Sequence, residues 1–114
     1  MAELPQEITT TVLDLQRQLL AIISKARTTE FTILERYGET EATIIDFAQL
    51  QNTRERAETY YSRFCTLLLQ IAKSYPSPSS AMLELLARSI EQAQANAPAS
   101  EASIQEIKRD WNLL

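Results

Sequence analysis

The sequence predicts an all-α fold: a long antiparallel helical hairpin with two shorter helices packed against it, a three- to four-helix bundle. Three observations predict it. From Ile8 to Ile33 apolar positions step by four and three in strict alternation, the spacing of heptad a and d sites in a coiled coil. From Glu41 to Tyr75 a similar pattern runs on without a helix breaker. The whole chain of 114 residues holds one glycine, whereas a β-rich fold of that size needs many turn residues.

The first helix is expected to open at Pro5, which suits an initial helical turn, with Glu7 placing negative charge near the positive end of the helix dipole. Its stripe is Ile8, Val12, Leu15, Leu19, Ile22, Ala26, Thr29 and Ile33. Leu13, Leu20, Ile23 and Leu34 widen the apolar face beyond a two-stranded seam, so contact with more than one neighbour is expected. Thr28 and Thr29 lower local helix propensity, which leaves a kink or restart open there. Gly38 follows Arg36 and Tyr37 as the left-handed residue that stops a helix. Thr40 then caps the next helix, and so short a connection makes the two helices antiparallel neighbours.

The second helix, Glu41 to Tyr75, carries Phe47, Leu50, Ala57, Tyr61, Phe64, Leu68, Ile71 and Tyr75 on one stripe, interrupted at Arg54. At 1.5 Å per residue it is roughly 50 Å long. Asn52 with Glu55 has the form of a capping box, which offers a break, but no Gly or Pro enforces one and continuity is the preferred reading. Tyr75-Pro-Ser-Pro ends it, because the residue before a proline is pushed out of α geometry.

A third helix starts at Ser79 or Ser80, with Leu83, Leu86, Ile90 and Ala93 on its stripe, and is expected to fade before Pro98. A fourth starts at Ser100 or at the Ser103-x-x-Glu106 box, with Ile104, Ile107, Trp111 and Leu114 repeating at helical spacing. Residues 1–114 read as one helical-bundle domain.

The available chemistry is narrow. With no histidine, Ser-His-Asp and Cys-His nucleophile systems, mixed-ligand zinc sites, histidine-ligated haem and the Glu-x-x-His pairs of di-iron bundles drop out. One cysteine leaves no intrachain disulfide and no Cys-based zinc or iron–sulfur site; Cys65, among Phe64 and Leu67 to Leu69, is expected to be an apolar filler. One glycine excludes phosphate-binding loops and dinucleotide fingerprints. Carboxylates remain at Glu35, Glu39 and Glu41 and at Glu55 and Glu58, but a cation site needs convergent oxygens, and a solvated acidic face is the preferred reading. No catalysis, cofactor or metal is expected. The net charge of −4, from 15 acidic and 11 basic residues without a basic cluster, disfavours nucleic acid. No apolar run is long enough to span a membrane, and Met1-Ala-Glu-Leu-Pro lacks the regions of a signal peptide, so the expected location is cytoplasmic.

An interaction role is what remains. If the short helices cover only the end of the hairpin near Leu67 to Ile71, the tip bearing Phe31, Ile33, Leu34, Tyr37, Ile44, Ile45 and Phe47 stays apolar and uncovered, and such a patch normally meets another chain. Phe31, Leu34, Tyr37, Ile44 and Phe47 are therefore the expected partner-binding residues, and a homodimer the expected assembly. Trp111 joins them as a possible anchor for a partner groove, although its place on the Ile104 and Ile107 stripe favours closure of the bundle. The alternative function is a bundle that binds a small apolar ligand or pigment in a cavity between the long helices and Leu86 to Ile90.

Overall fold

The computed structural model describes residues 4–114, so Met1 to Glu3 of the N-terminal stretch lie outside it. The described residues form three helices of similar length, α1 (Gln6–Tyr37), α2 (Glu41–Lys73) and α3 (Ser80–Asp110), and every pair is in contact, as a three-helix bundle requires. The molecule is a rod of 56 × 20 × 17 Å.

α1 follows its sequence pattern closely. Val12, Leu15, Leu19, Ile22, Ala26, Thr29 and Ile33 are buried and Ile8 is partly so, because the alternating four and three steps keep one stripe turned inward. The helix runs through Thr28 and Thr29 without a break. Thr29 and Thr32 donate their hydroxyls to the carbonyls of Lys25 and Thr28, at 2.7 and 2.9 Å, and so satisfy their polar groups inside the helix. Gln16 is buried beside the stripe, and its Nε2 donates to the Tyr61 carbonyl and the Cys65 sulfur late in α2, at 3.5 and 3.3 Å. Early α1 therefore lies level with late α2. Cys65 is half-buried rather than enclosed.

Gly38 ends α1 at φ 72°, ψ −167°, a glycine region of positive φ distinct from the left-handed helical cap expected from sequence. Thr40 caps α2 and Thr43 completes a reciprocal box. Thr43 N–H donates to Thr40 Oγ1 at 3.1 Å, while Thr43 Oγ1 accepts from Thr40 N–H at 2.7 Å and donates to the Gly38 carbonyl at 2.9 Å. That one fully buried hydroxyl joins the turn to the helix.

α2 is continuous through Asn52 and Thr53. It stops at Lys73, so the expected extension to Tyr75 is not made; Ser74 is already extended and Tyr75 is 83% exposed ahead of Pro76. Its buried stripe, Thr43, Leu50, Thr53, Ala57, Phe64, Leu67 and Ile71, is rotated from the expected one. The helix faces α1 and α3 at once, so the bisector of the two contacts is buried, and Phe47, Tyr61 and Leu68 fall to its edge. This rotation removes the conflict at Arg54. Thr53 takes the inner position and returns its hydroxyl to the Gln49 carbonyl at 2.9 Å.

The two shorter helices expected around Pro98 are one helix. α3 passes straight through the proline, and neither Ser100 nor Ser103 starts a new segment. Pro98 lies on the exposed side, so the helical donor it removes is the one to the carbonyl of Gln94, itself an exposed residue, where the loss costs less than it would in the core. The opposite face, Leu86, Ser89, Ala93, Ala97, Ser100, Ile104 and Ile107, stays buried without interruption. Ser79 caps the helix by accepting from Met82 N–H at 3.1 Å.

Candidate interaction surface

α3 spans the length of α2, which decides how much of the tip at Gly38 it covers. Its start meets late α2 through Ser74 and Met82, its middle meets it through Asn96 to Tyr60 at 3.0 Å and Arg63 to Gln92 at 3.3 Å, and its end through Gln49 to Ser103 at 2.9 Å. The tip is thus partly occupied from within. Trp111 Nε1 donates to Asp46 Oδ2 at 2.6 Å, the Tyr37 hydroxyl donates to the Trp111 carbonyl at 2.9 Å, and the two rings are tilted with centroids 4.9 Å apart.

This clasp sorts the expected partner-binding residues. Trp111 is half-buried and closes the bundle, and Tyr37, though 42% exposed, has its ring and hydroxyl engaged by Trp111. Phe47 packs against the core, and Ile33, placed in the uncovered patch by sequence, is fully buried. Phe31, Leu34 and Ile44 are the members that remain open, at 60%, 48% and 51% exposure.

Residues not foreseen extend that patch. Leu13, Leu20 and Leu69 are also exposed by half or more. At about 100° per residue, positions seven apart share a helix face, so Leu13, Leu20 and Leu34 line one side of α1, with Phe31 a turn away. The flank of α1 toward α3 is a different one: Lys25, Thr28, Thr32 and Arg36 surround a shallow hollow there with Lys108 and Leu113. On α2 the same geometry sets Ile44 and Leu69 on the flank away from Tyr60 and Arg63, which meet α3. Leu13, Leu20, Phe31, Leu34, Ile44 and Leu69 therefore share the outer face of the α1–α2 pair, while Ile45, 69% exposed, stands about 100° round α2 from Ile44. The seven-residue recurrence was the available signal for Leu13 and Leu20, which sequence reasoning had assigned to packing.

The middle of this face is charged. Arg17 and Arg27 of α1 are well exposed, in surface pairs with Asp14 and Glu30 at 3.2 Å each; Glu55 and Glu58 of α2 are exposed, Glu58 at 3.9 Å from Arg54. Deeper in, Glu30 Oε2 and Arg54 Nε are shielded without a hydrogen-bond partner.

A second apolar feature lies at the other end of the rod. Leu4, Pro5 and Ile8 face Pro78, Leu83, Leu86, Ala87 and Ile90 across an open groove of about 600 Å³. Among the described residues no three His, Cys, Asp or Glu side chains are grouped to hold a metal ion, and no helix is long and apolar enough to cross a membrane. No family model matches the chain, and no curated protein or solved structure does either.

Proposed function

We propose that this chain is a non-catalytic protein–protein interaction module, an adaptor, assembly or regulatory factor of the cytoplasm, in which α1 and α2 form an antiparallel hairpin that self-associates as a homodimer and presents an apolar helical surface to a protein partner. The observation that carries the reading is the outer face on which Leu13, Leu20, Phe31, Leu34, Ile44 and Leu69 stand exposed along one rod. Large apolar side chains collected on one face favour contact with another chain over contact with water. Surface area supports it. A monomer of 13.0 kDa is expected to expose about 6300 Å², and this chain exposes 7220 Å². The surplus is close to the roughly 800 Å² that each partner contributes to a standard interface. The radius of gyration, 17.2 Å, likewise exceeds the about 13 Å of a compact domain of this length.

Sedimentation or light scattering between 1 and 200 µM tests the reading. A dimer by tens of micromolar, with a melting temperature that climbs with protein concentration, is the expected outcome. A monomer with an unchanging melting temperature across that range refutes it.

The groove between Leu4, Ile8, Leu83 and Leu86 supports a second reading, a bundle that holds a small apolar ligand or pigment. Its volume is that of an ordinary ligand site. Absorbance above the protein band in material purified from native cells supports this reading, and its absence together with failure to take up fluorescent fatty-acid probes counts against it.

A further inference from the structure

We infer that the occupant of the outer face is a second copy of this chain set side by side with its tip at the same end, so that α1 of each copy lies along α2 of the other about a two-fold axis parallel to the helices. The inference rests on the self-association proposed above and adds its geometry.

Two face-to-face arrangements place apolar ends on apolar ends, and charge separates them. On the outer face both helices carry both signs, but the more exposed charges differ: on α1 Arg17 and Arg27 stand out further than their partners Asp14 and Glu30, whereas on α2 Glu55 and Glu58 are exposed and Arg54, 3.9 Å from Glu58, is only 25% exposed. Gln16 reaches Tyr61 and Cys65, so residues of α1 and α2 whose numbers sum to roughly 80 stand at one level along the rod. An axis parallel to the helices preserves levels. It brings Leu34 against the partner's Ile44, Leu13 near the partner's Leu69, Arg27 within about one turn of the partner's Glu55, and Arg17 within about one and a half turns of the partner's Glu58. An axis across the helices instead lays α1 on α1 and α2 on α2. Ile44 then meets the partner's Leu69, and Glu55 of one copy faces Glu58 of the other, a like-charge contact along the middle of the interface. The arginines' present partners, Asp14 and Glu30, are one turn away on their own helix; such pairs are weak, and a guanidinium has donors to spare for a second carboxylate.

Disulfide trapping between separately expressed single-cysteine chains tests the arrangement. Both carry Cys65→Ser, which keeps an acceptor for Gln16. Leu34→Cys mixed with Ile44→Cys under mild oxidation is expected to give covalent dimers several-fold faster than either variant alone, with helix content by circular dichroism unchanged because both positions are exposed. Faster trapping of Leu34→Cys with Leu13→Cys shows the copies reversed end for end and overturns the arrangement while leaving self-association intact. A monomer by sedimentation removes both. As an independent readout, Arg27→Glu and Glu55→Arg are each expected to weaken the dimer about fivefold, and an equimolar mixture of the two to recover wild-type affinity. Failure of the mixture to recover overturns the pairing.

Discussion

Trp111 and Asp46 lie 65 residues apart and are joined by an indole N–H to carboxylate hydrogen bond of 2.6 Å, which ties the end of α3 to the first turns of α2. A hydrogen bond to a charged acceptor contributes more than a neutral one, and this one is reinforced by the Tyr37 ring, tilted against the indole, and by the Tyr37 hydroxyl, which donates to the Trp111 backbone carbonyl. It holds the third helix at full length against the other two.

Removing the clasp is expected to loosen the tip. Trp111→Ala should lower stability by about 2 kcal/mol, less than a full core truncation because the ring is half-exposed. Asp46→Ala should cost about 1 kcal/mol. Both are read as lowered midpoints in urea unfolding, and amide exchange should quicken first in residues 104–110.

The buried hydroxyl of Thr43 serves Thr40 N–H and the Gly38 carbonyl together. Thr43→Val, nearly the same shape, should therefore destabilise by about 2 kcal/mol by stranding both. Thr40→Ala, which loses one cap, should cost about 1 kcal/mol. Equal losses in urea melts would show that the box does not act through Thr43.

Space around Gly38 is open, with no atom within 4 Å of a Cβ built there, yet its backbone sits at φ 72°, ψ −167°. Gly38→Ala is expected to cost about 1 to 3 kcal/mol from backbone strain alone. A thermal midpoint unchanged from wild type would mean that the turn relaxes to another conformation.

Pro98 offers the opposite sign. It is exposed within a continuous helix, so Pro98→Ala restores a backbone donor to the Gln94 carbonyl without disturbing the buried stripe. A gain of about 2 kcal/mol is expected after allowing for the greater freedom of the unfolded chain, visible as a raised thermal midpoint. A loss would show that the ring itself packs.

At the outer face, Leu34→Glu and Ile44→Glu should leave monomer stability within about 0.5 kcal/mol, since both side chains are half-exposed. The same substitutions should abolish the concentration dependence of melting. Burying those two residues in a dimer is the only process they are expected to disturb.

Much of the architecture was legible because α1 repeats one simple rule: seven of its eight expected stripe positions are buried, and the eighth, Ile8, is partly so. Gly38, Thr40 and Ser79 were likewise legible, since each fills a role few residue types can fill. Pro98 misled, because its local preference says stop while Ser89, Ala93, Ala97, Ser100 and Ile104 carry the buried stripe through it. Small side chains on that stripe give a weak hydrophobic signal, so the continuity was hard to see. Half of the proposed tip residues, Phe31, Leu34 and Ile44, stay open; Tyr37 is engaged by Trp111 at the end of α3 and Phe47 packs on the core, because α3 runs on as one helix where two short ones, covering either the whole groove or only its far end, were expected.

By itself the sequence determined that this protein is helical, that its first turn falls at Gly38 and which face of α1 points inward, because helix propensity, capping and periodicity act over a few residues and need no partner. Only the tertiary structure decided that the chain continues through Pro98, which side of α2 is buried, and that Trp111 belongs to the bundle while Leu13, Leu20 and Leu34 do not. Those outcomes turn on where a second and third helix lie. A side chain's burial depends on what stands opposite it, and one strand of spacing cannot say which of two apolar flanks a neighbour will take.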